Sequence, residues 1–476
     1  MGRIFGSPLH RMLTLLASAL FFVGASALFA DDPSAAQQSG QAPSITLQQA
    51  VDQALTTGPG ILISNAAVAT ARAQYTVSAA ANGIGLSTTG SLAHSDRNAI
   101  TSSISTPPSD TAQAGLKLTA PLSTSVSLAV NHTLDEATTP YQTSGVSLSA
   151  SSTLWDGMAG GSDLAAVQQA ALTLKETLAA EGANQKTIVY QVKQAYYTLL
   201  AQQRQLAILQ QTLTQRQQEL SKTQALYDAQ SATQIDLKQA QINQKQAELD
   251  LALARDNVEV DREQLSALVG WDTEKVYSVA EVDDVSAPVL DAAAAVKTAL
   301  AQRADLAQLQ LKIASGDIAV ALAQAKGSVQ VTTSAGINLS QNWTLNNGNL
   351  GWNAGLQLAM PILDAGSTDA AVKIARLSSQ SLAVQKQQLV ATITASVKST
   401  LYSLRDLLAR ADLAKSSLAL AQSQYDLAQL QFDNGVDSNL DVLTASVALT
   451  TAQVNAAKAR SDAQLGILAL QDALGN

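Results

Sequence analysis

The sequence predicts an α+β membrane protein built from two tandem structural repeats, each with very long helices and membrane-type β-strands. Three observations lead to this prediction: a long-range internal repeat, a seven-residue spacing of apolar side chains, and runs of alternating apolar and polar residues. The repeat indicates duplication of one unit. The spacing favours helices in a supercoiled bundle, and the alternation favours strands with one apolar face.

The internal repeat is clearest in the helical parts of the chain. The segment VKQAYYTLLAQQ, which begins at Val192, matches VKSTLYSLRDLL, which begins at Val397, at an offset of 205 residues. The same offset holds to the end of the chain, where LVG, ending at Gly270, matches ALG, ending at Gly475. The second half of the chain is therefore a copy of the first.

Changes in the offset locate insertions between the copies. TLWDGM, from Thr153, matches PILDAG, from Pro361, at offset 208, and AVDQAL, from Ala50, matches AVKTAL, from Ala295, at offset 245. The step from 245 to 208 places 37 extra residues in the first copy, between about residues 81 and 155. We assign residues 31–283 to repeat 1 and residues 284–476 to repeat 2.

The N-terminal segment is typical of a secretory signal. Arg3 and Arg11 precede or flank an apolar stretch, and small residues allow cleavage after Ala27 or Ala30. A membrane anchor is the alternative, and the small and acidic residues that follow at once disfavour it. We expect residues 1–30 to be a signal peptide.

Apolar residues recur every seven positions in both copies. The series are Val192, Leu199, Leu206, Leu213, Leu220 and Tyr227 in copy one, and Val397, Leu404, Ala411, Leu418, Tyr425 and Phe432 in copy two. The first pattern extends from about Leu164 to Ala229, which predicts a helix roughly 100 Å long. A second helix over Gln234–Leu268 is expected to run back along the first. Hairpin tips are therefore expected at about residues 227–236 and 432–441.

Alternating runs predict strands at about residues 84–155 and 328–362. Examples are VQVTTSAGINL and NLGWNAGLQLAM in copy two and SVSLAVNHTL in copy one. Runs of about ten residues with Trp155, Trp343 and Trp352 near their ends are typical of membrane strands with an aromatic girdle. An ordinary soluble sheet is the alternative.

The composition excludes several classes of function. The chain has no cysteine, and only His94 and His132 follow the signal segment, which disfavours a metal centre or another cofactor site. The net charge is −9 with 14% charged residues, so no nucleic-acid surface is expected. Asp283 and Asp284 form a solvated loop pair, and the chain is not expected to be an enzyme. Beyond the signal, no long apolar run predicts a transmembrane helix.

The second tip, FDNGVDSNLDVLTA, together with the closing ALG and the TLWDGM and PILDAG junctions, resembles the TolC-like outer membrane efflux proteins (outer membrane factors). The resemblance covers about residues 45–475. It implies a homotrimer whose chains each give four strands to a shared outer membrane β-barrel, continued by a long periplasmic α-helical barrel. It also implies the passive exit duct of a tripartite efflux or type I secretion system, with a periplasmic adaptor (membrane fusion protein) and an inner-membrane pump as partners. A periplasmic coiled-coil adaptor or structural interaction protein is the alternative, although adaptors carry one hairpin rather than a tandem copy.

The same resemblance suggests residues that line the pore. Asp441 corresponds to an aspartate that faces the pore in the family, and Asp437, Asp236 and Phe432 lie beside it. Three copies of Asp441 around one axis would attract cations. Helix N-capping is the alternative role of this acidic turn, for which Asp437 or Ser438 is the better cap.

The tips also carry residues expected to bind the adaptor. Gly435 with its neighbours Asn434 and Val436 matches a docking motif of the family, whereas the matching glycine of the first tip is Gln230. A second aspartate of the family is replaced by Thr444. The family's closed-tip lock cannot be carried over, because Asp437 and Phe432 replace its arginine and tyrosine.

The extra residues of copy one contain KLTAPLSTSVSLAVNHTL, which predicts an additional hairpin at about residues 110–140. This hairpin could widen a trimeric barrel from twelve strands to eighteen. It could also stand outside the membrane, above a twelve-stranded barrel, and this second arrangement is the one we expect.

Overall fold

Helices and strands alternate along the chain in an order that occurs twice. The structure is a computed structural model that describes residues 43–97, 106–121, 123–135, 141–159, 161–282, 291–434 and 438–475. The expected signal peptide lies outside the described residues. The elements of the first copy are β1 (Ser44–Ile45), α1 (Leu47–Thr57), α2 (Pro59–Ala81), β2 (Gly85–Arg97), β3 (Thr106–Ala120), β4 (Thr124–Asp135), β5 (Tyr141–Trp155), α3 (Gly161–Asp228) and α4 (Gln234–Val269). Those of the second are β6 (Ser278–Val279), α5 (Ala292–Gln302), α6 (Ala304–Ala325), β7 (Gln330–Asn342), β8 (Asn347–Ala359), α7 (Ser367–Asp433) and α8 (Asn439–Leu474).

Two helices, α3 and α7, run almost the whole length of the helical part. They contain 68 and 67 residues, which at 1.5 Å per residue makes each about 100 Å long. The helices α4 and α8 have 36 residues each and return along the half of α3 and α7 that is farther from the sheet. Helices α4 and α8 end at Gly270 and Gly475. The φ angles of these glycines, 80° and 82°, lie in the left-handed region that suits a residue without Cβ.

The helices form one layer with two open edges. Near the tips α3 packs between α4 and α8, and α8 packs against α7, which gives the order α4–α3–α8–α7. Near the sheet, α2 and α6 take the places of α4 and α8 beside α3 and α7. The layer therefore ends at α2 and α4 on one side and at α7 on the other.

The best-buried side chains lie where α3 meets α1 and α4, and where α7 meets α5 and α8. Val192 and Leu199 are fully buried in the first cluster, and Val397 and Leu470 in the second. The hydroxyl of Tyr196 donates to the carbonyl oxygens of Ile45 at 2.9 Å and Ala280 at 2.8 Å, which ties β1 and the chain after β6 to α3. Members of the seven-residue series nearer the tips, such as Tyr227, are partly exposed.

Helix α6 is long and apolar enough to cross a membrane by length and composition alone, and no other described helix is. Its polar side chains, however, have partners in the helical layer. Lys312 pairs with Glu176 of α3 at 3.3 Å, and Asp317 accepts a hydrogen bond from Ser379 of α7 at 3.0 Å. We therefore assign α6 to the layer of helices.

Six strands form one antiparallel sheet in the order β2–β3–β4–β5–β7–β8. We expected the additional hairpin to stand above a four-stranded sheet, but β3 and β4 lie inside the sheet and pair with β2 and β5. Alternation in the sequence defines the faces of a strand but not its neighbours, so it could not predict the place of β3 and β4 in the strand order. Trp352 is also not near a strand end, since it lies in the middle of β8 opposite Ile337.

The two faces of the sheet differ sharply in polarity. One interior row reads Leu116, Leu128, Leu148, Ile337 and Trp352 across β3, β4, β5, β7 and β8. The opposite face carries mainly serine, threonine, asparagine, glutamine and glycine, together with Lys117 and a few alanines such as Ala129. A sheet with one apolar and one polar face, both uncovered in the single chain, suits lipid on one side and water on the other.

Candidate functional site: the hairpin tips

The two hairpin tips lie side by side at the end of the helices remote from the sheet. We call the turn between α3 and α4 tip 1 and the turn between α7 and α8 tip 2. A groove between them is lined by Glu219 and Thr223 of α3, Asp236, Gln239 and Ala240 of α4, and Leu440, Val442 and Leu443 of α8. The first turn of α4 therefore faces the first turn of α8 across this groove.

Each return helix begins with the same capping arrangement. At tip 1, the backbone N–H and the hydroxyl of Thr233 both donate to the Asp236 carboxylate at 2.8 Å, and the Asp236 N–H donates to the Thr233 hydroxyl at 3.2 Å. At tip 2, the Ser438 N–H and hydroxyl donate to the Asp441 carboxylate at 3.1 and 2.6 Å, and the Asp441 N–H donates to the Ser438 hydroxyl at 3.4 Å. These reciprocal bonds satisfy amides that would otherwise lack an acceptor at the helix start.

The capping bonds also fix the charge of the two aspartates. Hydrogen bonds from the Ser438 hydroxyl and N–H lower the pKa of Asp441 below its usual value, and those from the Thr233 N–H and hydroxyl lower the pKa of Asp236. The Asp441 side chain is exposed and that of Asp236 is half-buried. Each tip thus presents a carboxylate whose ionised form is favoured by its hydrogen bonds and by the positive end of a helix dipole.

The structure gives Asp441 the capping role that the sequence left as an alternative, with Ser438 as the N-cap. The signal for it was a Ser or Thr three residues before an acidic residue at a helix start. This signal occurs at both tips, as Thr233 with Asp236 and Ser438 with Asp441. Capping occupies one carboxylate oxygen, Oδ2, in each case, so it is compatible with a second role of the same group towards the pore.

Tip 1 contains a residue in a conformation that favours glycine. Gln230 has a φ of 58°. Its N–H donates to the Tyr227 carbonyl at 2.9 Å, and the Ser231 N–H donates to the Leu226 carbonyl at 2.7 Å, the two bonds of a Schellman helix end. The backbone therefore keeps the turn that a glycine would form, although the side chain is glutamine.

Tip 2 is described only in part. Asn434 ends α7, and its side-chain amide donates to the Leu430 carbonyl at 2.8 Å. Three residues predicted from the sequence to act here, Gly435, Val436 and Asp437, lie outside the described residues.

A contact between the two hairpins involves Phe432. The Lys222 ammonium of α3 lies 4.2 Å from the centre of the Phe432 ring of α7. A cation over an aromatic face is attracted by about 0.5–1 kcal/mol at an exposed site. The sequence placed Phe432 at the tip but did not indicate this contact, since nothing in either segment marks the other as a neighbour.

Comparison with known proteins identifies similar chains. The model of the "Outer membrane efflux protein" family matches residues 124–271 and 295–476. A curated relative, the solvent efflux pump outer membrane protein SrpC of Pseudomonas putida, is 28% identical over 297 residues, which are 59% of this chain and 61% of SrpC. The alignment thus spans less than two thirds of that relative's length.

Solved structures share the fold over nearly the whole chain. The outer membrane protein VceC from Vibrio cholerae superposes with a TM-score of 0.70 at 19% identity, covering 90% of this chain and 96% of VceC. The CmeC outer membrane channel of Campylobacter jejuni gives a TM-score of 0.70 at 15% identity, covering 96% of this chain and 94% of CmeC. At these identities the likeness establishes the fold.

Proposed function

The chain belongs to the outer membrane efflux protein family, and from this premise we propose that it is the passive exit duct of a tripartite efflux system. The family is one of outer membrane channels and not of enzymes, and its TolC-like fold matches what the sequence predicted. The observation that carries the proposal is that one chain combines a sheet with a single apolar face and helices about 100 Å long. A sheet in the outer membrane would leave helices of this length to cross the periplasm.

In this proposal the duct is a homotrimer whose helical layers join edge to edge. The free side of α4 exposes Ile235, Ile242 and Leu249, at 79%, 60% and 53%. The free side of α7 exposes Leu413, Leu420 and Leu427, at 67%, 60% and 53%. Both series have a seven-residue spacing, which is the pattern of helices that pack side by side in a supercoil. The α4 edge of one copy can therefore cover the α7 edge of the next, and a rotation that closes makes a ring.

The tips supply the ion preference of the duct. A ring of three copies would bring three Asp441 and three Asp236 carboxylates to the periplasmic mouth, each held in its ionised form by capping bonds. Fixed negative charges around an opening raise the local concentration of cations and lower that of anions. Phe432 lies at the same level and contributes an apolar surface beside these charges.

The periplasmic adaptor binds at the same tips in this proposal. Asn434 is exposed at the end of α7 and leads directly to Gly435 and Val436. Replacing Gly435 by a bulky residue is expected to reduce export while trimer levels stay the same. The same replacement at Gly182, on the interior helix α3 and with no atom within 4 Å of an added Cβ, serves as a matched control for general effects of a surface change. Unchanged export in the Gly435 variant would remove the tip from the docking surface.

The relative SrpC is named for solvent efflux, and we propose small molecules as the exported class here as well. In this proposal the inner-membrane pump selects the compound.

Reconstitution of the purified chain tests the proposed function. Chemical crosslinking should end at a three-subunit product, and the protein should insert into lipid bilayers and conduct ions. A protein that stays monomeric and never inserts would be an interaction protein of the periplasm, and the proposal would be wrong.

A further inference from the structure

We propose that β3 and β4 are part of the membrane wall, so that each copy contributes six strands and three copies close an eighteen-stranded barrel. This inference rests on the proposed trimer. It departs from the four strands per chain, and twelve per trimer, that the resemblance to the TolC-like proteins implied. The consequence is a much wider outlet on the outer side of the duct.

The register shows that the hairpin runs the full height of the sheet. β3 pairs with β2 from Gly85 opposite Thr119 to Arg97 opposite Thr106, with one irregularity near the loop end. β4 pairs with β5 without a shift from Ser125 opposite Ser151 to Asp135 opposite Tyr141. A hairpin that stood above the membrane could share only its base with β2 and β5. The observed pairing instead places β3 and β4 beside their neighbours at every level.

The hairpin also has the two faces of a wall strand. Leu116, Leu118, Val126, Leu128 and Val130 lie on the apolar face of the sheet and are 37–46% exposed in the single chain. On β5 and β7 the rows of Leu128 and Val130 continue with leucine, valine and isoleucine, and the row of Val126 continues with alanine. In water this continuous apolar surface would promote aggregation, whereas contact with lipid carries no free-energy penalty for it.

The opposite face of the hairpin is polar except at one level, where Gly115 lies opposite Ala129. Ser125 faces Ser151, and Ser127 faces Ser149, with hydroxyl oxygens 3.0 and 2.6 Å apart. Lys117 lies on this face between Leu116 and Leu118, whose side chains point to the other side. A lysine is costly on the lipid side of a barrel but is tolerated in a water-filled lumen. The alternation therefore fixes which side of the hairpin faces water.

Polar pairs mark where the apolar face ends. The His94 ring lies 2.6 Å from the Asp110 carboxylate across β2 and β3, and the His132 ring lies 2.8 Å from the Ser144 hydroxyl across β4 and β5. The Trp343 ring N–H donates to the same Ser144 hydroxyl at 2.8 Å. The boundary crosses β3 and β4 at the level set by the other strands, as a single membrane surface requires.

Closure of the sheet requires other copies of the chain. The outer strands β2 and β8 leave unpaired backbone groups at both edges of the sheet, and such edges are not stable in lipid. Adjacent strands alternate in direction throughout, and six is an even number, so β8 of one copy and β2 of the next are antiparallel. A second copy of this chain is therefore the occupant of each edge, and three copies give eighteen alternating strands.

The width of the outlet follows from strand number. With strands about 4.8 Å apart and tilted by about 40°, eighteen strands give a barrel about 36 Å across, measured between backbones, and twelve give about 24 Å. The enclosed area is therefore roughly 2.3-fold larger in the wider barrel. The narrow point of the duct stays at the helix tips, and the barrel becomes a wide, polar outlet.

Paired cysteine variants test the position of the hairpin in a chain that has no cysteine of its own. A fluorophore on Leu128→Cys should be quenched by brominated lipid and not by aqueous iodide. On the neighbouring Ser127→Cys, which faces the lumen, the same fluorophore should be quenched by iodide and not by the lipid. If both labels respond only to iodide, the hairpin lies outside the membrane and the inference is wrong.

A matched pair on β7 separates this failure from failure of the proposed function. Ile337 and Asn338 lie on opposite faces of β7, which is a wall strand under either arrangement. Lipid quenching at Ile337→Cys without quenching at Leu128→Cys would leave the duct intact and exclude the hairpin from its wall. Loss of lipid quenching at both positions would mean that the sheet does not insert, which overturns the proposed function and the inference together.

Disulfide formation gives an independent reading of strand order. The double variant Ser127→Cys/Ser149→Cys should form an intrachain disulfide, because these residues are opposite one another on β4 and β5. Ser87→Cys/Ser149→Cys should not, because two strands separate β2 from β5. If β2 and β5 were neighbours in a four-stranded wall, the second pair would crosslink and the first would not. Electron microscopy of the trimer should show eighteen strands, and a count of twelve would overturn the inference.

Discussion

Replacing Asp441 by asparagine separates the two roles that the tip allows this residue. The amide oxygen of asparagine can still accept hydrogen bonds from Ser438, so the cap is largely kept, but the charge is lost. A trimer would lose three of the six carboxylates that Asp441 and Asp236 supply. We therefore expect the variant to fold and assemble normally and to select less strongly for cations.

The size of the effect follows from the exposure of the carboxylate. Asp441 is exposed, so its field acts through water and salt rather than through a protein interior. Three charges about 10 Å from a pore axis would enrich monovalent cations roughly twofold at 0.1 M salt and deplete anions by a similar factor. The permeability ratio should therefore fall about fourfold in Asp441→Asn at 0.1 M salt, and the difference should nearly vanish at 1 M.

Reversal potentials in planar bilayers under a salt gradient measure this ratio. Ser438→Ala is the matched control, because it breaks the cap but keeps the charge. The lowered pKa of Asp441 means that selectivity should persist into acid and be lost only as the pH falls through that lowered value. Since the Ser438 hydroxyl is the main cause of the shift, Ser438→Ala should move this loss to higher pH. Equal reversal potentials in wild type and Asp441→Asn at 0.1 M salt would show that Asp441 only caps α8.

Other parts of the helical layer give further predictions. Phe432→Leu removes the ring under the Lys222 ammonium and should raise single-channel conductance by loosening the two hairpins; an unchanged conductance would mean that this contact does not hold the tip. Gln230→Gly should stabilise the protein by about 0.5–1 kcal/mol, because the left-handed φ no longer strains the backbone, and denaturant unfolding would measure it. Gly182→Ala should raise the melting temperature of the helical circular dichroism signal by gaining about 1 kcal/mol, since no atom lies within 4 Å of the added Cβ. Gly466→Ala should give no such gain, because its Cβ would lie 2.8 Å from a Leu407 methyl.

The helices could be predicted from sequence because their packing repeats at short range. The seven-residue series can be recognised within one helix, and the structure buries its first members, Val192 and Val397. The helix caps were also predictable from the sequence, since Ser438 and Asp441 are only three residues apart in the chain. Contacts between distant segments could not be predicted in this way. Lys222 and Phe432 belong to different hairpins, and no local pattern joins them.

The additional hairpin shows that a local pattern can predict strands but not their pairing partners. The alternating pattern predicted a hairpin in this segment, and side chains such as Leu116 and Lys117 point to opposite faces of a strand in any sheet. It said nothing about whether β3 would pair with β2 through its whole length, because pairing depends on the partner's register and not on the strand's own pattern. With the register known, Leu116 and Leu118 extend the apolar face of the neighbouring strands and Lys117 extends their polar face, which is the alternation that the proposed wall requires.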